Sequence, residues 1–239
     1  MKVAIVGNGN VASHLFQALR DKIETVLVNS RTLEGFPPDA DIVLISVSDN
    51  AIEEVFSRLP HTAAVMAHTA GSVPMDVLNK NVAGYGVFYP LQTFTKGVEL
   101  NYREIPVFIE GNSQETVERL KALASLFSDN VKEADSEARK KLHLASVFAC
   151  NFSNALAGIS QEILKESALD FKDLLPLMKQ TINKLASLSA TEAQTGPAVR
   201  GDTKVMNAHL KMLEDKPLFQ EIYTLLSDYI SDTKKKERL

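Results

Sequence analysis

Met1-Lys-Val-Ala-Ile-Val-Gly-Asn-Gly-Asn-Val-Ala12 decides the fold. Five of the six residues before Gly7 are apolar, as a buried strand requires. The run passes directly into Gly7-x-Gly9-x-x-Ala12, and an amphipathic segment with Leu15, Ala18 and Leu19 follows at once. A strand, a glycine turn and a helix in this order form the fingerprint of a dinucleotide pyrophosphate site. Gly7 permits the tight turn, Gly9 lets the backbone approach the phosphates, and Ala12 is small enough for close helix–strand packing. The helix N-terminus presents N–H groups to an anion. Gly7, Asn8, Gly9, Asn10, Val11 and Ala12 are therefore read as the pyrophosphate cradle. The competing reading is a tight turn in another α/β fold, such as that of a methyltransferase.

The next segments alternate in type. Thr25-Val-Leu-Val28 reads as a second strand and Asp41-Ile-Val-Leu-Ile-Ser-Val47 as a third, apolar almost throughout. Asn50 and Glu53 stand at capping-box spacing and mark a helix start. Ala63-Ala-Val-Met-Ala67, a short apolar run before Tyr89, and Ile105-Pro-Val-Phe-Ile109 read as further strands. Val117, Leu120, Leu123, Ala124 and Phe127 form one stripe of a helix from Ser113. Strands alternating with helices imply a mostly parallel sheet with right-handed crossovers. The expected fold is α/β: a Rossmann-like mostly parallel sheet in residues 1–130, then an all-α domain in residues 131–239.

The end of the second strand bears on the choice of cofactor. An NAD site usually places an acid there for the ribose 2′-hydroxyl. This chain has Asn29-Ser30-Arg31. A hydroxyl and a guanidinium suit a 2′-phosphate, which favours NADP, with Ser30 and Arg31 as its ligands. The alternative is that Arg31 is a solvated loop residue. Ligands bind outside the carboxyl ends of parallel strands. Ser46, Val47 and Ser48 after the third strand, and His68 and Thr69 after the fourth, are thus expected beside ribose and nicotinamide. His68 has a structural alternative, as a strand-end histidine satisfying backbone groups. Tyr89-Pro-Leu-Gln92-Thr-Phe94 is a proline-rigidified aromatic loop, read either as pocket lining with Gln92 toward substrate or as a packed loop.

No strand pattern follows residue 130. Leu142, Ala145, Ala149, Phe152, Leu156, Ile159 and Ile163 are spaced three and four apart, which predicts one long helix from Ser136 to Lys165. Its opposite side, with Val147 and Cys150, is also apolar, so the helix is expected to be buried on several sides, in a homodimer. His143 and Asn151 are polar interruptions of that helix, about 12 Å apart along its axis. They border a reaction cleft or make structural hydrogen bonds. Pro176 and Pro217 open further helices, the last with Leu218, Ile222, Leu225, Leu226 and Tyr229 turned inward. Between these helices lies Thr195-Gly-Pro-Ala-Val-Arg200-Gly-Asp202, followed by His209. Arg200 suits a substrate carboxylate or phosphate, or else pairs with Asp202.

Composition excludes some functions. The chain has 26 basic and 30 acidic residues and a net charge of −4, which argues against nucleic-acid binding. Its single cysteine, Cys150, allows no internal disulfide, and no Cys/His cluster has metal spacing. No unbroken apolar run reaches membrane-spanning length, and the first core strand begins at the N-terminus. A cytoplasmic protein without membrane or metal is the expectation.

Taken together, Gly7-x-Gly9-x-x-Ala12, His68-Thr-Ala-Gly-Ser72, Tyr89-Pro-Leu-Gln-Thr-Phe94, His143 through Asn151-Phe152, and Gly196-Pro-x-x-Arg-Gly-Asp202 with His209-Leu210 carry a resemblance over nearly the whole chain. The chain resembles Rossmann-like proteins with a C-terminal helical domain of unknown function. That family is similar to pyrroline-5-carboxylate reductases and β-hydroxyacid dehydrogenases. The resemblance implies an NADP-binding fold, a helical dimerisation domain and an active site between domains. One feature departs from it. The β-hydroxyacid dehydrogenases place a catalytic lysine four residues before an asparagine on the long helix, and here Val147 precedes Asn151 at that distance. His143 takes the place of proton donor, with Asn151, Gln92, Arg200 and His209 toward substrate. The expected activity is NADP(H)-dependent oxidoreduction of a small anionic carbonyl or imine compound. The alternatives are a non-catalytic NADP sensor and a deazaflavin-dependent reductase.

Overall fold

Val3 and Ile5 face one side of the opening strand and Ala4 and Val6 the other, and all four are wholly shielded from solvent. That period-two burial on both faces requires a sheet covered by helices on each side. A computed structural model describes residues 1–79, 82–165 and 167–236. It divides the chain into two compact units, Met1–Asn151 and Phe152–Leu239.

The first unit is a seven-stranded sheet. Its strands are β1 (Lys2–Val6), β2 (Glu24–Val28), β3 (Ile42–Ile45), β4 (Val65–His68), β5 (Tyr85–Pro90), β6 (Val107–Gly111) and β7 (Val131–Glu133). They lie in the order β2-β1-β3-β4-β5-β6-β7. Every neighbouring pair is parallel except β5 with β6. On one face, α1 (Asn10–Leu19) and α3 (Gln114–Ser125) bring Leu15, Leu19, Leu120 and Leu123 onto Val3, Ile5, Leu44 and Phe88. On the other, α2 (Ile52–Arg58) places Ile52, Val55 and Phe56 on Val6, Val43 and Ile45.

Register positions the site. Val6 pairs with Val28 and with Ile45, and Ile45 with His68. Four parallel strands therefore end level, and Gly7, Asn29, Ser46 and Thr69 leave the sheet along one edge.

β7 corrects the expectation of no strand after residue 130. It pairs parallel with β6 at the sheet edge. Its three residues, Val-Lys-Glu, hold one apolar side chain, too little for a period-two signal.

The long helix is present, as α4 (Ser136–Ser146), a π-helical segment at Val147–Phe152 and α5 (Ser153–Leu164). The widened segment was not legible in the side-chain pattern. The helix Ser136–Leu164 is 29 residues long and holds an 18-residue stretch of mean hydropathy 1.3, long and apolar enough to cross a membrane by length and composition. Its unbroken apolar runs stay short, as expected, and it is the average that is high. The polar interruptions carry little charge, so the average stays high.

The second unit continues with α6 (Leu175–Lys184), α7 (Ala190–Ala193), α8 (Pro197–Arg200), α9 (Thr203–Met212) and α10 (Pro217–Lys236). Pro176 and Pro217 sit in first turns, where their missing N–H costs nothing. Among its described residues only Ala198, Leu213 and Ser227 are buried. The expectation that Leu218, Leu225, Leu226 and Tyr229 turn inward is corrected for the single chain, in which all four are exposed. So are Leu156 and Ile163 of the long helix, and Phe152 where the π segment ends.

Candidate functional site

A cavity of about 690 Å³ opens at the carboxyl edge of the sheet, and all its walls belong to the first unit. Gly7 has φ +146°, and a Cβ there would overlap the Ser46 carbonyl oxygen. The tight turn thus requires glycine for both conformation and space. Gly9 differs: it is the N-cap of α1, and a Cβ there would meet nothing within 4 Å. The protein itself does not need glycine at that position. The open space before the helix N-terminus is the shape a pyrophosphate would fill. Asn8, Gly9, Asn10 and Val11 line the cavity. Gly7 and Ala12 set the turn behind them, and Ala12 is fully buried against the sheet. The Asn10 amide donates to the Phe94 carbonyl at 3.0 Å, tying the turn to the loop after β5.

Ser30 and Arg31 line the same cavity. The Asn29 side-chain oxygen accepts the Arg31 N–H at 2.9 Å and shapes this turn. Arg58, at the end of α2, also faces the cavity, and its guanidinium donates to the Ser30 and Arg31 carbonyls. Two guanidiniums therefore stand at the end of β2, one of them fixing the loop that carries the other. Glu54 lies one turn before Arg58, 3.8 Å from it. Arg58 and Glu54 were missed because helix periodicity assigns such residues to a solvated face.

Ser46, Val47 and Ser48 after β3, and Thr69 after β4, form the inner wall. The Thr69 hydroxyl donates to Ser46 Oγ at 3.3 Å. His68 does not line the cavity. It is fully buried, with Nε2 3.3 Å from the Pro74 carbonyl, while Nδ1 accepts the Ala70 N–H at 3.2 Å. Burial above all, with the Arg139 charge next, lowers its pKa to about 4. His68 is thus a neutral imidazole bonded to backbone at each nitrogen, the arrangement of its structural alternative.

His143 reaches the cavity from α4, beside Tyr89 and Gly71. The Tyr89 hydroxyl lies 3.0 Å from His143 Nδ1, and the rings meet edge to face with centroids 6.1 Å apart. A Cβ on Gly71 would come within 2.6 Å of His143 Nδ1 and 2.8 Å of Tyr89 Cζ. Gly71 is the gap into which both rings fit. Burial pushes the Tyr89 phenol up from its ordinary value. Four residues before His143, Arg139 is fully buried and clamps the helix. Its guanidinium donates to the Glu110 carboxylate of β6 and to the Val73 carbonyl, two residues beyond Gly71. Ser136 joins the same carboxylate at 2.9 Å. Breaking such a buried pair costs about 3–5 kcal/mol, so this clamp fixes where the start of α4 sits.

The profile of DUF2520, a domain of unknown function, matches residues 105–230, more than half of the chain. The chain belongs to the DUF2520 family. The match runs from β6 to α10 and takes in Glu110, Arg139 and His143; the glycine turn and Tyr89 lie before it. A candidate NADP oxidoreductase from Bacteroides fragilis is 40% identical, with 97% of this chain and 98% of that one covered and a TM-score of 0.89. An imine reductase from Myxococcus stipitatus, solved with NADP+, is 12% identical over 99% and 95% of the two chains, with a TM-score of 0.66. A reductive aminase from Aspergillus terreus, solved with NADPH and ethyl levulinate, is 13% identical over 98% and 94%, with a TM-score of 0.72. At those two identities the likeness is one of fold. No curated protein matches the chain.

Besides His68, four expected site residues of this DUF2520 protein are not among the residues that line the cavity. Gln92 is exposed, and its side-chain oxygen accepts the Thr93 N–H at 2.7 Å. Asn151 is exposed in the π-helical segment. Arg200 and His209 belong to the second unit. Arg200 is exposed at the end of α8, where Gly201 takes the left-handed conformation, and Asp202 caps α9 through the Val205 N–H instead of pairing with it. His209 Nδ1 lies 2.9 Å from the Tyr223 hydroxyl.

Proposed function

We propose that the chain is an NADP(H)-dependent reductase of small carbonyl or imine compounds. One observation carries the reading. The turn that fits a pyrophosphate, the Arg31–Arg58 pair and the His143–Tyr89 pair line one cavity. Gly9 and the α1 N-terminus would hold the pyrophosphate. Ser30 and Arg31 would hold the 2′-phosphate, on a loop that Arg58 braces. Ser46, Val47, Ser48 and Thr69 would wall the ribose and nicotinamide. The reduced nicotinamide supplies a hydride when bound. The protein's part is to orient the substrate beside it and to supply a proton, for which His143 with Tyr89 stands ready. The B. fragilis relative and the NADP(H) complexes of the two reductases support the cofactor choice.

The test is NADPH oxidation against a panel of keto acids, their esters and cyclic imines. Reduction of at least one class, with His143→Gln losing turnover while keeping NADPH affinity, is the expected result. Undiminished turnover in His143→Gln removes that residue's role. NADPH binding without any turnover converts the reading to a sensor.

We further propose that a second copy of the chain covers the apolar faces of the helical unit. Leu177, Ile182, Leu225 and Tyr229 are each about two-thirds exposed in one chain, more apolar surface than a monomer normally leaves in water. A dimeric mass in light scattering is expected, and a monomer at micromolar concentration would refute it. The protein is read as cytoplasmic on the same ground, since a partner rather than a bilayer covers the long helix.

A further inference from the structure

Resting on that function, we propose that Tyr89 is the acid that protonates the reduced substrate, and that His143 is the group that returns its proton. Tyr89 is the last residue but one of β5, the strand next to β4, and its ring enters the cavity at the carboxyl edge with Ser46 and Thr69. The ring is mostly buried and its oxygen lies 3.0 Å from His143 Nδ1. His143 is half-buried on α4, nearer to solvent. The phenol is shielded beside the substrate space and the imidazole is the member of the pair that reaches solvent, which sets their order. Gly71 leaves room for both rings, and the Arg139–Glu110 clamp fixes the helix that brings one to the other. Burial pushes the Tyr89 phenol up, the Ser146 hydroxyl bonded to it and the Arg139 charge pull it down, and Asp49 adds to the upward push.

The step balances. The substrate carbon takes a hydride from the reduced nicotinamide, and the π electrons of the C=O or C=N bond move to the heteroatom. A new bond forms between that heteroatom and the Tyr89 proton. The Tyr89 oxygen takes the proton of His143 Nδ1 as bulk solvent delivers one to Nε2, so the ring passes from one neutral tautomer to the other and the solvent proton replaces the one given to substrate. This requires Nδ1–H to donate to the phenol oxygen while the phenol O–H points to substrate. Tyr89 is then a catalytic residue and His143 its proton source.

The experiment compares the full-length wild type with Tyr89→Phe, His143→Gln and the double variant. NADPH affinity, kcat on the substrate panel, and phenol titration by ultraviolet difference against Tyr89→Phe are read for each. Tyr89→Phe is expected to lose about 10²–10⁴-fold in kcat and keep its NADPH affinity. His143→Gln is expected to lose less, and the double variant no more than Tyr89→Phe alone. In His143→Gln the Tyr89 phenol is expected to ionise at higher pH, because one donor to its phenolate is gone and Ser146 alone remains. A larger loss in His143→Gln than in Tyr89→Phe, or an unmoved Tyr89 titration, overturns the assignment. Wild-type turnover with an equally active Tyr89→Phe overturns it alone. A wild type that binds no NADPH fails the function itself, a different outcome.

Discussion

In the first unit Val3, Ile5, Leu44 and Phe88 are wholly shielded by the unit's own helices, whereas in the second Leu177, Ile182, Leu225 and Tyr229 are about two-thirds exposed. The same chain thus carries one part that completes its core alone and one that does not. The difference follows from architecture. A parallel sheet with helices on both faces buries apolar strands from either side. Short helices such as α7 and α8 span four residues each and, among the described residues, leave Leu177 and Ile182 of α6 and Leu225 and Tyr229 of α10 exposed. The cavity belongs to the complete part, so cofactor binding is expected to depend on the first unit and assembly on the second.

The largest way to break this contrast is at the glycine turn. Gly7→Ala places a methyl group on the Ser46 carbonyl oxygen at a φ that L-residues avoid. Loss of NADPH binding by more than ~100-fold is expected, with a drop in stability of roughly 2 kcal/mol or more in urea unfolding. Gly9→Ala meets open space in the protein. It should leave the urea midpoint within about 0.5 kcal/mol of wild type and still weaken NADPH binding. Equal loss of stability in the two variants would contradict the idea that Gly9 serves the ligand alone.

In the second unit, Leu177→Glu and Leu225→Glu alter exposed positions. A monomer would absorb each within about 0.5 kcal/mol. If a second copy covers them, each should shift the mass in light scattering to that of a monomer and lower stability by about 2 kcal/mol, while NADPH affinity is kept.

His68 sharpens the same contrast through pH. Its folded pKa of about 4 lies below the ordinary 6.5, so the unfolded chain binds the extra proton first. Its contribution is complete above about pH 6.5 and is lost as pH falls toward 4, on the order of 3 kcal/mol in all. Unfolding of the first unit followed by urea from pH 7 to 4 should show that loss, and His68→Gln should flatten it. A curve unchanged by the substitution would mean that His68 is not held neutral.

The smallest expected effects lie at the end of β2. Arg31→Gln should weaken NADPH by about 10–100-fold and leave NADH nearly unchanged, as removal of one charged hydrogen-bonding partner does. Arg58→Gln acts through the Ser30–Arg31 carbonyls and should cost less. Equal losses for both cofactors would place neither residue at a 2′-phosphate.

The parts legible in the sequence were those written in local pattern. Gly7-x-Gly9-x-x-Ala12, the apolar strands and the stripe from Leu142 to Ile163 gave the sheet, its crossovers and the long helix. β7 stayed hidden because a three-residue edge strand has no period to read. The antiparallel turn from β5 to β6 and the π segment at Val147–Phe152 depend on pairing and hydrogen bonding between distant or widened turns, which side-chain spacing does not record. At the site, Ser30, Arg31, Ser46 and Thr69 followed from strand ends alone. The Tyr89 loop was read as pocket lining, but the pairing of Tyr89 with His143 over Gly71 and the Arg139 clamp were not legible, since they arise only when β5, the loop after β4 and α4 converge. His68 shows the reverse: a strand-end position suggested the cavity, and the backbone groups of Ala70 and Pro74 hold it away.

The central claim is that the first unit holds NADP(H) on its glycine turn and basic loop. Isothermal calorimetry of the full chain with NADPH and with NADH tests it most directly. NADPH is expected to bind at least ~10-fold more tightly than NADH, a difference of about 1.4 kcal/mol. Heat from neither cofactor, or tighter binding of NADH, would contradict the account.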